Sequence, residues 1–290
     1  MSFEWHDVAD PNDPELDRLA ERYHLHPLHI EDCRHRDQSA KVEEEDGYFF
    51  VVLKPIVVRP QCELDIDDLD LFLGPDYLIT VREGAHATVG PILDKIRASW
   101  NGERGDQLFY RIVDAVVDSY LPVIDSFSET IDGLEDAVLE TPEPATLQKI
   151  FDLKRALISL RRVLGNTRDV AGHLQRSESP LIGRDMWPFL RDVYDHVART
   201  LDLVETHRDV LNGALDIYLS SVANRTNQVM KVLTVLGTVA LPALVISGFY
   251  GMNVKDLPWA DHPHAYLIVG GMMAAVTTLL LALLRWLHWF

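Results

Sequence analysis

The sequence predicts an α+β membrane protein with a cytoplasmic α/β domain, a long helical stalk and two C-terminal transmembrane helices. Three observations lead there. Charge is partitioned along the 290 residues: positions 1–229 carry 43 acids against 24 bases, whereas positions 230–290 carry only Lys231, Lys255, Arg285, Asp256 and Asp261. Two uncharged runs of 23 residues, Val232–Val254 and His262–Leu284, lie near the C-terminus, and about 20 mostly apolar residues are enough for a helix to cross a bilayer core. Proline is absent from Phe189 to Leu241, so one helix can run from the charged region into the first apolar run.

Each element follows in order. Tyr48–Val58, Leu64–Leu73 and Tyr77–Arg82 are rich in β-branched and aromatic residues and read as strands. His26–Cys33 and Pro91–Trp100 read as short helices, the second with Pro91 in its first turn. Together they predict an α/β domain over 1–105. From Asp106 to Glu140 apolar residues recur at helical spacing, TPEP (Thr141–Pro144) interrupts, and a second helix runs from Ala145 to Gln175. A helical hairpin over 106–188 is therefore expected. Leu190, Tyr194, Val197, Leu201, Val204, Leu211, Leu215, Tyr218 and Val222 form a heptad stripe on a stalk over 189–229. With the first span (230–250), this makes a helix of about 60 residues, roughly 90 Å long at 1.5 Å per residue. Its stripe needs partner helices. An outer loop over 251–264 is too short to form a domain, and a second span occupies 265–287.

Composition excludes several functions. A formal net charge of −18 leaves no basic face for a nucleic acid. Cys33 and Cys62 offer neither finger spacing nor a disulfide framework. GxSxG, P-loop and HExxH motifs are missing, so the chain does not read as an enzyme. The N-terminus is acidic and lacks the apolar core of a signal peptide. Arg225, Lys231 and Arg285 flank one end of the hairpin, against Lys255 in the loop. That bias places the body and both termini in the cytoplasm, on the inner face of the plasma membrane.

One hairpin cannot enclose an aqueous path, so conduction requires a ring of identical subunits. Every seventh residue of the first span gives Asn227, Thr234, Leu241 and Gly248, and the neighbouring row gives Met230, Gly237, Leu244 and Gly251. Pro242 is placed to bend the helix. No Asp, Glu, Cys or His lies between Val232 and Val254. A path of amide, hydroxyl and carbonyl oxygens suits an ion that keeps its water, and Mg²⁺ dehydrates reluctantly. Asn253, in Gly251-Met252-Asn253, could hydrogen-bond the waters of such an ion. By itself, the same tripeptide also suits a helix C-cap.

YGMN (Tyr250–Asn253) at the end of the penultimate membrane helix resembles the CorA family of divalent-cation channels. The stretches Leu215–Thr234, Phe189–His196, HPLHIEDC and LKRALISLRRVL are similar to family segments as well. The resemblance implies a CorA-like homopentameric funnel, with Mg²⁺ as substrate and regulatory ligand. The partners are further copies of the chain, the lipid bilayer and divalent cations. By position, it implies Gly251, Met252 and Asn253 as the selectivity loop. Asn227, Met230, Leu233, Thr234, Leu241 and Gly248 would line the pore, with Met230 and Leu233 as its hydrophobic constriction. Asp216 would form an acidic ring below, and Asp192 would hold a regulatory Mg²⁺ between subunits. Two departures stand out. The stretch Gly84–Gly90 has no acid to face Asp192, leaving Glu83 and Asp94 nearest, and the chain ends RWLHWF rather than in lysines.

Two other readings stay open at this point. One is a zinc or other divalent-cation transporter of the same fold; the other is a membrane-anchored coiled-coil scaffold that moves no ion. His24, His26, His29 and His35 read as caps and surface residues, while His262 and His264 lie near the outer mouth.

Overall fold

The structure, a computed structural model, describes residues 3–35, 38–59, 63–82, 89–140, 143–253, 257–259 and 262–287. It divides into two units, residues 1–217 and 218–290.

The first unit begins with strand β1 (Glu4–Val8) and helices α1 (Pro14–Tyr23) and α2 (Pro27–Arg34). Each helix starts with proline after a capping side chain: the Asp13 carboxylate accepts from the Glu15 N–H, and His26 Nδ1 accepts from the Leu28 N–H. Strands β2 (Lys41–Glu45), β3 (Tyr48–Leu53), β6 (Leu69–Leu73) and β7 (Tyr77–Arg82) join β1 in a five-stranded sheet of order β1-β7-β6-β3-β2. Only the β1–β7 pair is parallel; Phe49 faces Leu73 and Asp70 faces Val81 in the antiparallel ladders. Strands β4 (Ile56–Arg59) and β5 (Glu63–Ile66) pair separately. On one face, Tyr48, Phe50, Val52 and Phe72 pack with Leu16 and Leu19 of α1 and Ile30 and Cys33 of α2. The alternating residues Phe49, Val51, Leu53 and Leu71 are equally buried on the other face. Burial on both sides explains why these strands read as continuous apolar runs.

Two runs expected as single strands are each two. Tyr48–Val58 breaks at Lys54-Pro55, and Leu64–Leu73 breaks at Asp67-Asp68. Pro55 has no N–H for a ladder, its carbonyl accepts from the Asp67 N–H at 2.9 Å, and Lys54 pairs with Asp68. β1, β2 and α1 are short, mixed segments whose periodicity was too weak to mark them.

Helix α3 (Val89–Ser99) follows, then α4 (Gly105–Asp118) and α5 (Tyr120–Glu140). The single helix expected over 106–140 is thus interrupted at Ser119. Pro122 cannot donate to the Asp118 carbonyl, and the Ser119 Oγ caps the Val116 carbonyl at 2.6 Å. Helix α6 (Pro144–Leu174) packs against α5 and reaches β2 and β5. A 3₁₀ turn, Arg184–Met186, leads into α7.

α7 (Trp187–Tyr250) is one element of 64 residues with Pro242 inside it. Of its expected stripe, Leu190, Val197, Val204, Leu211 and Tyr218 are buried, Tyr194, Leu201 and Leu215 are half-buried and Val222 is exposed; Val193, off that stripe, is buried as well. In the second unit, the C-terminal part of α7 and α8 (Ala265–Trp286) are long and apolar enough to cross a membrane, and none of the apolar stretch of either is buried.

Candidate functional site: an exposed apolar helix face and an acid–histidine cluster

The residues predicted for the path all lie on α7 or just beyond it. Asn227, Met230, Leu233, Leu241, Gly248, Gly251, Met252 and Asn253 are exposed, and Thr234 is half-buried. Met230 and Leu233 retain 54% and 61% of their exposure, so whatever covers them lies outside this chain. The Thr234 hydroxyl donates to the Met230 carbonyl at 2.9 Å. Its proton is thereby committed, and its lone pairs remain to accept from water. α7 closes where the Gly251 N–H donates to the Ser247 carbonyl at 2.8 Å and the Met252 N–H to that of Phe249 at 3.4 Å. Asn253 follows outside the helix, without a side-chain hydrogen bond among the described residues. The glycine therefore does sit at a helix end, as the cap reading expects. His262 and His264 have ring centres 6.0 Å apart, with the His264 N–H donating to His262 Nδ1.

A second constellation lies in the first unit. Asp114 and Asp118 on α4 and His196 on α7 offer ligand atoms within 4.8 Å of one another. His196 Nδ1 lies 3.6 Å from Asp118 Oδ1, and its Nε2 lies 3.6 Å from Asp192 Oδ2. Two i,i+4 pairs on facing helices thus bring three carboxylates and an imidazole together. Burial, followed by the Asp118 charge, raises the Asp114 carboxyl above its ordinary range. Tyr110 is pushed up to about 12 by burial and by Asp114 beside it. Oxygen and imidazole donors clustered around unshared negative charge are a donor set for a divalent cation.

Sequence reasoning singled out Asp192 and missed Asp114, Asp118 and His196. Their i,i+4 spacing on helices already recognised was the available signal; that the two helices adjoin was not. Asp216 is exposed and stands 24 residues from Asp192 on the same helix, about 36 Å at 1.5 Å per residue, so one chain does not bring them together. Asp94 is exposed on α3; Glu83 and Cys62 lie outside the described residues. The four N-terminal histidines do not converge. His24 and His35 end α1 and α2, and His26 caps α2. His29 corrects the expectation of a cap or surface residue: it is 2% exposed, bonded to the Tyr48 hydroxyl at 2.9 Å and Glu43 at 3.0 Å.

An acidic α/β and helical body that leads through one long helix into two exposed apolar helices defines a two-span membrane protein of the transport class. This chain belongs to the CorA family: the model for CorA-like Mg²⁺ transporter proteins matches residues 1–285. It is 36% identical over 278 residues to the cobalt/magnesium transport protein CorA of Thermotoga maritima, covering 94% of this chain and 79% of that one. Among solved structures, it resembles the complete CorA magnesium transporter of Methanocaldococcus jannaschii at TM-score 0.84 and 26% identity, over 97% of this chain and 89% of that one. The full-length CmaX protein shares the fold at TM-score 0.80 and 20% identity, over 98% and 88%.

Proposed function

We propose that five copies of this chain form a channel that admits hydrated Mg²⁺ to the cytoplasm, driven by the membrane potential and gated by cytoplasmic Mg²⁺. The observation that carries this reading is the α7 face that ends in Gly251-Met252-Asn253. It is exposed, and between Val232 and Val254 it offers no carboxylate, thiol or imidazole. Such a face hydrogen-bonds a cation's water shell without stripping it. Asn253 and Gly251 form the outer selectivity ring, and Asn227, Met230, Leu233, Thr234, Leu241 and Gly248 line the path below it. Co²⁺ and Ni²⁺, with comparable hydrated shells, enter by the same route.

In this reading, residues 1–105 and 106–188 are the cytoplasmic domain and hairpin, 189–229 the stalk, 230–250 the pore helix, 251–264 the outer loop and 265–287 the second span. Both termini are cytoplasmic. A divalent cation falling through 100 mV releases about 4.6 kcal/mol, so no nucleotide hydrolysis is required. The regulatory Mg²⁺ sits at Asp114, Asp118, Asp192 and His196, where it neutralises carboxylates that otherwise repel. When it leaves, repulsion loosens the ring, and the Met230 and Leu233 collar wets. Asp216 draws cations toward the inner mouth.

The test is Asn253→Ala in proteoliposomes loaded with a Mg²⁺-sensitive dye. Influx in the parent chain that drops at least tenfold in the variant supports the channel. A parent chain with no influx is a scaffold, and zinc influx that outcompetes Mg²⁺ replaces the ion assignment.

A further inference from the structure

One cavity in this acidic body is walled by arginine. It has a volume of about 650 Å³ and lies where the end of α6, the 3₁₀ turn and the first turns of α7 meet. Arg176, Arg184 and Arg191 line it together with Trp187 and Tyr194, and among the described lining residues the only carboxylate is Asp195. Trp187, Arg191, Tyr194 and Asp195 fall at i, i+4, i+7 and i+8 of α7, which is a single stripe. Arg176 reaches in from the end of α6. A Cβ on Gly172 would lie 3.3 Å from its guanidinium and 3.4 Å from the Tyr194 ring, so the glycine lets the two side chains lie together.

Acids outnumber bases 45 to 27 in this chain, and several arginines elsewhere are taken up by them, while the exposed Arg18, Arg162, Arg199, Arg225 and Arg285 make no ion pair among the described residues. Arg104 binds Asp106 and Asp185, Arg111 binds Glu103, and Arg161 binds Glu205. None of the three cavity arginines makes an ion pair among the described residues. Three like charges held around one hollow repel each other and call for an anion. Guanidinium groups match phosphate oxygens in paired hydrogen bonds. Beside Gln175, Pro188 and Asp195, the wall carries the rings of Trp187 and Tyr194; the Arg184 Cζ lies 5.7 Å over the Trp187 ring, and the Trp187 Nε1 is shielded from solvent without an acceptor among the described residues. A planar base stacks on such a surface, and the volume is in the range of small-molecule pockets.

We infer that this cavity binds a nucleoside polyphosphate, with its phosphates on Arg176, Arg184 and Arg191 and its base against Trp187 and Tyr194. The site is separate from the path for ions, and its test measures binding rather than flux. Isothermal titration of the full-length protein in lipid nanodiscs, in Mg²⁺-free buffer, compares ATP, inorganic tripolyphosphate and orthophosphate. The expected result is saturable ATP binding at least tenfold tighter than tripolyphosphate, with orthophosphate weaker still. Arg184→Gln with Arg191→Gln, both at exposed positions, weakens ATP at least tenfold, and Trp187→Leu brings ATP to the level of tripolyphosphate. Absence of saturable binding by all three probes overturns the inference. So does unchanged ATP affinity in the arginine variant, and tripolyphosphate binding as tightly as ATP overturns the nucleoside assignment.

Discussion

Asp70, on β6, is 3% exposed. Cys33 from α2 donates to it, and Lys54, Asp68 and Asp32 act on it from around the sheet. Burial, then the Asp68 charge, pushes its carboxyl from 3.8 to about 7. The folded pKa lies above the unfolded one, so the native state holds the proton more tightly. The contribution of Asp70 to stability is therefore full below about pH 4, declines as pH rises toward 7 and is lost above it. Asp70→Asn removes that slope. In thermal melts the variant should match the parent near pH 4 and exceed it by about 2–4 kcal/mol at pH 8. The acid–histidine cluster makes the opposite demand, because its carboxylates must be ionised to hold a cation. Asp114, with its raised pKa, takes up a proton at a higher pH than an ordinary carboxylate. Asp114→Asn with Asp118→Asn should reduce the Mg²⁺-induced rise in melting temperature by at least half. An undiminished rise would remove this cluster as the proposed regulatory site.

At the scale of elements, close approaches govern the details. Gly74 begins the turn from β6 to β7, where its N–H donates to the Tyr77 carbonyl at 2.9 Å. A Cβ there would come within 2.2 Å of the Tyr77 ring, which is itself stacked on Tyr23 at 3.9 Å. Gly74→Ala must push that ring off α1, and a loss of about 1–3 kcal/mol in denaturant unfolding is expected. The strand breaks at Lys54-Pro55 and Asp67-Asp68 follow the same logic. The buried Tyr120 hydroxyl donates to the Lys54 carbonyl at 2.9 Å, which satisfies a backbone acceptor that Lys54 could not place in a continuous ladder. Pro55 and the paired acids were visible in the sequence, but Tyr120, 66 residues away, was not visible as their partner.

At the scale of the whole molecule, the membrane-spanning parts of α7 and α8 bury nothing within one chain. Lipid covers some of that surface; in the proposed ring, further copies and water cover the rest. Met230 and Leu233 then form a collar whose apolar surface holds the path dry. Leu233→Ser should wet it and raise basal Mg²⁺ influx several-fold at high internal Mg²⁺, measured in dye-loaded proteoliposomes. Unchanged basal influx would remove this residue from the gate. The sequence by itself determined the two spans, the long helix and the strands β3, β6 and β7. Each rests on a pattern local to the chain: a charge-free run, a missing proline, a stretch of apolar residues with a single period. It also marked Asp192 and the tripeptide at the end of α7. Tertiary structure alone decided that Asp114 and Asp118 meet His196, that His29 lies in the core, and that three arginines converge on one cavity. Those are contacts between segments far apart in the chain, and no periodicity within one segment encodes which face of a distant helix it will meet.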